Sequence, residues 1–288
     1  ATSSLRMRLR IPTRPSGSTR TVPESHSRSA IAASAGTGTL PPAASDGRTF
    51  TLTLDLCRHA IVLWTSDEGR EEIPLNAGSV AALHRRLVAA LERHGLPADF
   101  SGLPNEIENA VPFAEDTRPR DYERDSASRF RESLAAMLPV FERFRASFTG
   151  KSSPVHFWWG SFDLSVTRFS GRGAPQHPGG VPGLPDRITR EAYNQQLSSA
   201  GFWAGGVTEA EPFFYSYAYP QPDGYVDRQV QGGSWNPDWQ EFTLPYAEVR
   251  AAADPNAILT SFFQSTYEAA ADLADWDRPR LEREPVAP

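Results

Sequence analysis

KSSPVHFWWGSFDLSVTRFSGR, residues 151–172, sets two tryptophans beside a histidine, an aspartate and an arginine. Strand alternation puts His156 and Trp158 on one face and Val155, Phe157 and Trp159 on the other. Gly160 marks a bulge or bend. Beyond it Phe162, Leu164 and Val166 make an apolar row, and Ser161, Asp163, Ser165 and Thr167 a polar one. Polar groups beside large rings suit either a binding surface or the centre of a core. His156 reads as a hydrogen-bonded core histidine or a site group. Asp163 and Arg168 read as a structural ion pair, a loop anchor, or members of a site.

A second strand repeats the theme. In FFYSYAYP, residues 213–220, Phe213, Tyr215, Tyr217 and Tyr219 share one face, and Phe214, Ser216 and Ala218 the other. The small side fits a packed helix. The ring side either fills a core or lines a partly wet cavity, because a tyrosine joins an apolar body to a polar tip. A pocket between the 154–169 and 212–220 strands would draw on Lys151, His156, Trp158, Asp163, Arg168, His177, Tyr215 and Tyr217. Tyr193 and Trp203 join them from the run between Arg190 and Gly206.

The flanking sequence predicts an α+β domain with a largely antiparallel sheet and packed amphipathic helices. Phe50, Leu52, Leu54 and Leu56 alternate with polar residues as a strand, Cys57–His59 turns the chain, and 60–65 returns it. Val80, Leu83, Leu87, Ala90 and Leu91 lie on one helical stripe that Gly95 stops. Phe130, Leu134, Met137, Phe141, Phe144 and Phe148 make a second stripe, with a kink or break expected at Pro139. A last helix runs through Ile258, Leu259, Phe262, Phe263, Tyr267, Ala270 and Leu273.

The chain has 288 residues and a formal charge of −6. Residues 1–46 hold six arginines and two acids, a charge of +4, so the remaining 242 residues carry −10. That balance argues against a nucleic-acid groove on the body. The first 46 residues, rich in Arg, Ser and Pro, lack periodicity and are expected to be without fixed structure through Ala44. The division is then a tail of 1–46, a single domain of 47–278 and a C-terminal tail of 279–288. A lone cysteine, Cys57, excludes an internal disulfide. With no membrane-length apolar run and no signal-like leader, the reading is a soluble cytoplasmic protein. A single lysine among 28 arginines points to a GC-rich bacterial gene.

No motif dictates a reaction. Gly150–Ser152 spells GKS, but the phosphate-loop pattern needs a glycine where Arg145 stands. The six histidines are never spaced as a ligand pair on one helix face, so no metal and no cofactor is expected.

In these stretches the chain resembles a bacterial family of unknown function, DUF5996. The residues that carry the resemblance are GKSSPVHFWWGSFDLSVTRFSGR, HPGGVPGLPD, the run from Arg190 to Gly206, YAYPQPDGY and STYEAAADL, spread between about Gly47 and Trp276. The resemblance implies a single-domain unit and carries no reaction with it. Relatives tend to have a His-Glu pair where this chain has Gln195-Gln196, which implies that proton transfer or metal binding by that pair is lost here. They also have aromatic-containing sequence upstream of Gly47, so a shifted reading frame before Asp46 would account for the Arg/Ser/Pro tail. Two functions follow as expectations. One is binding of a small polar-aromatic or sugar-like molecule, with catalysis open. The other is a non-catalytic structural or protein-interaction domain with no membrane partner.

Overall fold

The computed structural model describes residues 29–32, 37–39, 43–45, 47–104, 107, 109–206 and 211–283. The chain folds as two compact units. One takes in the described residues of 14–136 with 157–161, and the other 137–156 with 162–283. Helices and antiparallel strands make the chain α+β, the class its patterning predicts.

The first unit is built on β4 (Arg48–Asp55), β5 (Ala60–Thr65) and β6 (Arg70–Pro74), an antiparallel meander. The turn before β5 closes because Asp55 Oδ1 accepts from the Cys57 and Arg58 amides at 2.9 and 3.0 Å, which replaces ladder bonds that a turn cannot make. Helix α1 (Val80–Arg93) starts where Ser79 accepts from the Ala82 amide and ends before Gly95, whose φ of +64° a side chain would strain. Its Ala90 and Leu91 pack with Leu96 on Leu52, Ile61, Leu63 and Ile73.

Three short strands, β1 (Ser29–Ala32), β2 (Thr37–Thr39) and β3 (Ala43–Ser45), precede this meander. β2 and β3 pair antiparallel with opposite ends of β4, and β1 pairs with β2. They depart from the expectation of no fixed structure through Ala44. An unpaired edge of β4 offers a row of amides and carbonyls, and backbone pairing there needs no side-chain periodicity. The rest of residues 1–46, apart from these strands, lies outside the described residues.

Helix α2 (Arg124–Ala146) contributes to both units and runs through Pro139 without a break, contrary to one of the two outcomes expected there. Ala135, whose carbonyl loses its bond, and Pro139 both lie on the exposed side, where water can satisfy that carbonyl. The other side buries Leu134, Met137, Phe141 and Phe144.

The second unit holds β8 (Asp163–Gly173), β9 (Gln195–Trp203), β10 (Phe213–Tyr219), β11 (Ser234–Asn236) and β12 (Glu241–Pro245), in the lateral order β11-β12-β10-β9-β8, antiparallel throughout. β7 (His156–Trp158) precedes β8, separated from it by a turn at 159–162. Helices α3 (Asp186–Ala192), α4 (Tyr246–Ala251), α5 (Pro255–Leu273) and α6 (Arg278–Leu281) complete the unit. Asp254 caps α5 by accepting from the Asn256 and Ala257 amides, with Pro255 opening the helix.

One face of this sheet is the apolar core. Leu164 and Val166, Ala200 and Phe202, Phe214, and Phe242 and Leu244 are all buried. Phe263 of α5 lies 6.1 Å from Phe214 and 4.8 Å from Phe141, ring centre to ring centre. The small side of β10 therefore receives a helix, as its sequence predicts.

Candidate functional site

The opposite face of the same sheet is different in kind. Register sets three rows across β8, β9 and β10: Asp163–Trp203–Phe213, Ser165–Gly201–Tyr215 and Thr167–Ser199–Tyr217. A fourth, Phe169–Leu197–Tyr219, closes one end. Hydroxyl groups thus occupy the two middle rows, a carboxylate stands in one end row beside Trp203, and both end rows carry rings.

Asp163 is only 1% exposed, and Tyr215 donates its hydroxyl to Asp163 Oδ2 at 2.5 Å. Tyr215 stands opposite Gly201, and its ring crosses β9 at that point. A Cβ on Gly201 would lie 2.0 Å from the tyrosine Cζ and Oη, so no other residue leaves room for the ring. One row further, the Thr167 and Ser199 hydroxyls meet at 3.0 Å, both buried. Each pair satisfies groups that would otherwise cost free energy to bury.

Aromatic clusters flank this strip. On one side Trp203, Phe213 and Trp239 touch one another, all with ring centres 5.6 Å apart. On the other, His177 lies 4.8 Å from Tyr193 and 5.2 Å from Tyr219, and the Tyr193 and Tyr217 hydroxyls are 3.0 Å apart. His177 is buried in the loop before α3. Its Nδ1 accepts the Gly179 amide at 3.0 Å, which leaves the proton of the neutral ring on Nε2. Burial lowers the His177 pKa, opposed by the Asp186 carboxylate and aided by the Arg190 guanidinium.

Six of the ten residues singled out in the sequence, Asp163, His177, Tyr193, Trp203, Tyr215 and Tyr217, belong to this face or its flanking clusters. The other four are placed elsewhere. Arg168 leaves β8 through the apolar face. Its guanidinium lies 3.5 Å from the Phe144 ring centre and 4.3 Å from that of Tyr267, and it donates to the Phe144 carbonyl and to Ser147 Oγ. It ties down the C-terminus of α2, where carbonyls lack helical partners, and burial pushes its pKa down to about 10.

Lys151 projects over Phe169, 4.6 Å from the ring centre, and its Nζ donates to Gln195 Oε1 at 3.4 Å. Six residue steps along β8, roughly 20 Å, separate Phe169 from Asp163, beyond the reach of a lysine. Burial lowers its pKa. His156 is buried in β7. Trp158 is half-buried and falls with the segment 157–161 of the first unit.

The 154–169 and 212–220 strands are not neighbours: β9 lies between them. The sequence reading missed the β9 residues Ser199 and Gly201, and Trp239. SSAGFW carries a period-2 signal, but small residues make it weak, and nothing local announces that Gly201 underlies a ring 14 residues away. Gln195 and Gln196 sit at the start of β9, Gln195 against Lys151 and Gln196 accepting from Ser170 at 3.2 Å. Among the described residues no group of three or more His, Cys, Asp or Glu could hold a metal ion, and no helix is long and apolar enough to cross a membrane.

Fold and site together define an α+β protein whose antiparallel sheet is apolar on one face and rich in rings and hydroxyls on the other. The chain belongs to DUF5996, a family of unknown function, which it matches over residues 19–283. That span reaches back into the arginine-rich segment. No curated protein and no solved structure matches the chain.

Proposed function

We propose that the face carrying Asp163 and Tyr215 binds a small polar molecule. The observation that supports this reading most is the buried strip of hydroxyls around an oriented carboxylate, set between two aromatic clusters. A sheet core filled for stability alone favours apolar side chains, because a buried polar network gains little over well-packed hydrocarbon. Tyr217, Tyr219 and Trp239 are only part-buried and would offer their rings as stacking surface. A bacterial, cytoplasmic setting, suggested by the lone Cys57 and the arginine-rich composition, belongs to the same reading. No reaction is assigned.

A second reading, a non-catalytic structural or interaction domain, draws on the internal pairing of Tyr215 with Asp163 and of Thr167 with Ser199. A thermal-shift screen of the full chain against a broad small-molecule library separates the two. A ligand that binds the folded state raises the midpoint as its concentration passes Kd. The binding reading expects such a ligand, with the effect lost in Asp163→Asn. If nothing in the library shifts the midpoint or slows amide exchange in β8–β10, the structural reading replaces it.

A further inference from the structure

We propose that the cleft between the lead-in to β10 and helix α4 binds a free α-amino acid with an apolar side chain, held as its zwitterion. The cleft is open to solvent, has a volume of about 500 Å³, and is lined by Glu211, Pro212, Tyr246, Ala247, Arg250 and Ala251. Local structure builds it. The Tyr246 amide donates to the Pro212 carbonyl at 3.0 Å, which pins the start of α4 to the residue before β10. Val249 is turned into the core, so the other side of α4 presents Tyr246 with Ala247 and, one turn on, Arg250 with Ala251. Tyr246 also packs on Phe202 and Phe214 of the apolar face. The cleft is therefore separate from the face that carries Asp163, and the inference does not rest on the reading of that face.

Its charges decide the ligand. One carboxylate and one guanidinium line the same space, both exposed, and among the described residues neither side chain has an ion-pair or hydrogen-bond partner. A simple anion would be attracted by Arg250 and repelled by Glu211, and a simple cation the reverse. A zwitterion satisfies both, because its ammonium donates to the Glu211 carboxylate while its carboxylate accepts from the Arg250 fork. Pro212, Ala247, Ala251 and the Tyr246 ring then offer apolar contact to a hydrocarbon side chain.

The test is an NMR titration of the full chain at a pH of about 6, below the α-amine pKa. The probes are leucine and phenylalanine, with glycine lacking a side chain, N-acetylphenylalanine lacking the cation and phenylalaninamide lacking the anion. Saturable shifts at residues 211–212 and 246–251 are expected for leucine or phenylalanine. Each capped analogue should bind at least about threefold more weakly, the scale of an exposed ion pair, and glycine more weakly than either full ligand. Added salt should weaken binding. Glu211→Gln should abolish the preference over N-acetylphenylalanine, and Arg250→Gln the preference over phenylalaninamide. Both positions are exposed, so neither substitution threatens the fold.

Equal or tighter binding of a capped analogue, or a preference that survives both substitutions, overturns the proposal. So does the lack of any saturable shift at these residues, whatever binds or fails to bind at β8–β10.

Discussion

Tyr215 reaches Asp163 across Gly201: the hydroxyl-to-carboxylate distance is 2.5 Å, and a methyl group at position 201 would lie 2.0 Å from the ring that makes the bond. The glycine is a requirement of packing, since the ring fills the volume where any side chain would stand.

Gly201→Ala therefore displaces the Tyr215 ring and breaks the bond to Asp163. A loss of about 1–3 kcal/mol is expected, the range for overpacking a filled core, read from denaturant unfolding. A change below about 0.5 kcal/mol would mean that the ring has another place to go and that Asp163 is not held by it.

Phe141 is fully buried and packs edge-on against Phe263 at 4.8 Å. Phe141→Ala should cost about 3–5 kcal/mol, the usual loss for truncating a buried phenylalanine. A much smaller loss would detach the C-terminal half of α2 from the core.

Arg168 uses a planar cation to stack on Phe144 while bonding the Phe144 carbonyl and Ser147. A lysine keeps the charge but can neither stack as a plane nor fork its bonds. Arg168→Lys should cost about 2–3 kcal/mol, on the scale of hydrogen bonds to charged groups, with ligand binding unaltered once the protein is folded. Intact stability with lost binding would instead place Arg168 in the site.

His177 titrates below its ordinary value of 6.5 in the folded chain, because burial disfavours the imidazolium. The unfolded chain then takes up the proton first as pH falls. Stability is full above about pH 6.5 and declines through that value toward the lower folded pKa. Unfolding midpoints at pH 7.5 and 5.5 should differ more in the wild type than in His177→Gln. Equal differences, or stability that rises in acid, would show that the Asp186 carboxylate outweighs burial at the ring.

Much of this was legible in order along the chain. The 4-3-4-3-4 spacing from Phe130 to Phe148 determined a helix with one buried stripe as far as Phe144, with Phe148 buried just beyond the helix end, and alternation in 213–219 determined which side of β10 takes a helix. Arg168 shares parity with Leu164 and Val166, yet its charge set it beside Asp163 in the sequence reading, and the fold turned it into the apolar face. Periodicity is a local property, fixed by the 3.6- and 2-residue repeats of the backbone itself. What the sequence could not determine was adjacency. Tyr215 and Asp163 lie 52 residues apart, and they meet only because β9 inserts between their strands in a register that sets Gly201 beneath the ring. Strand order and register are settled when whole faces are buried together, since a one-residue slip would exchange every side chain between the apolar and the hydroxyl-rich side. The site is a product of that pairing, and so only the tertiary structure decided it.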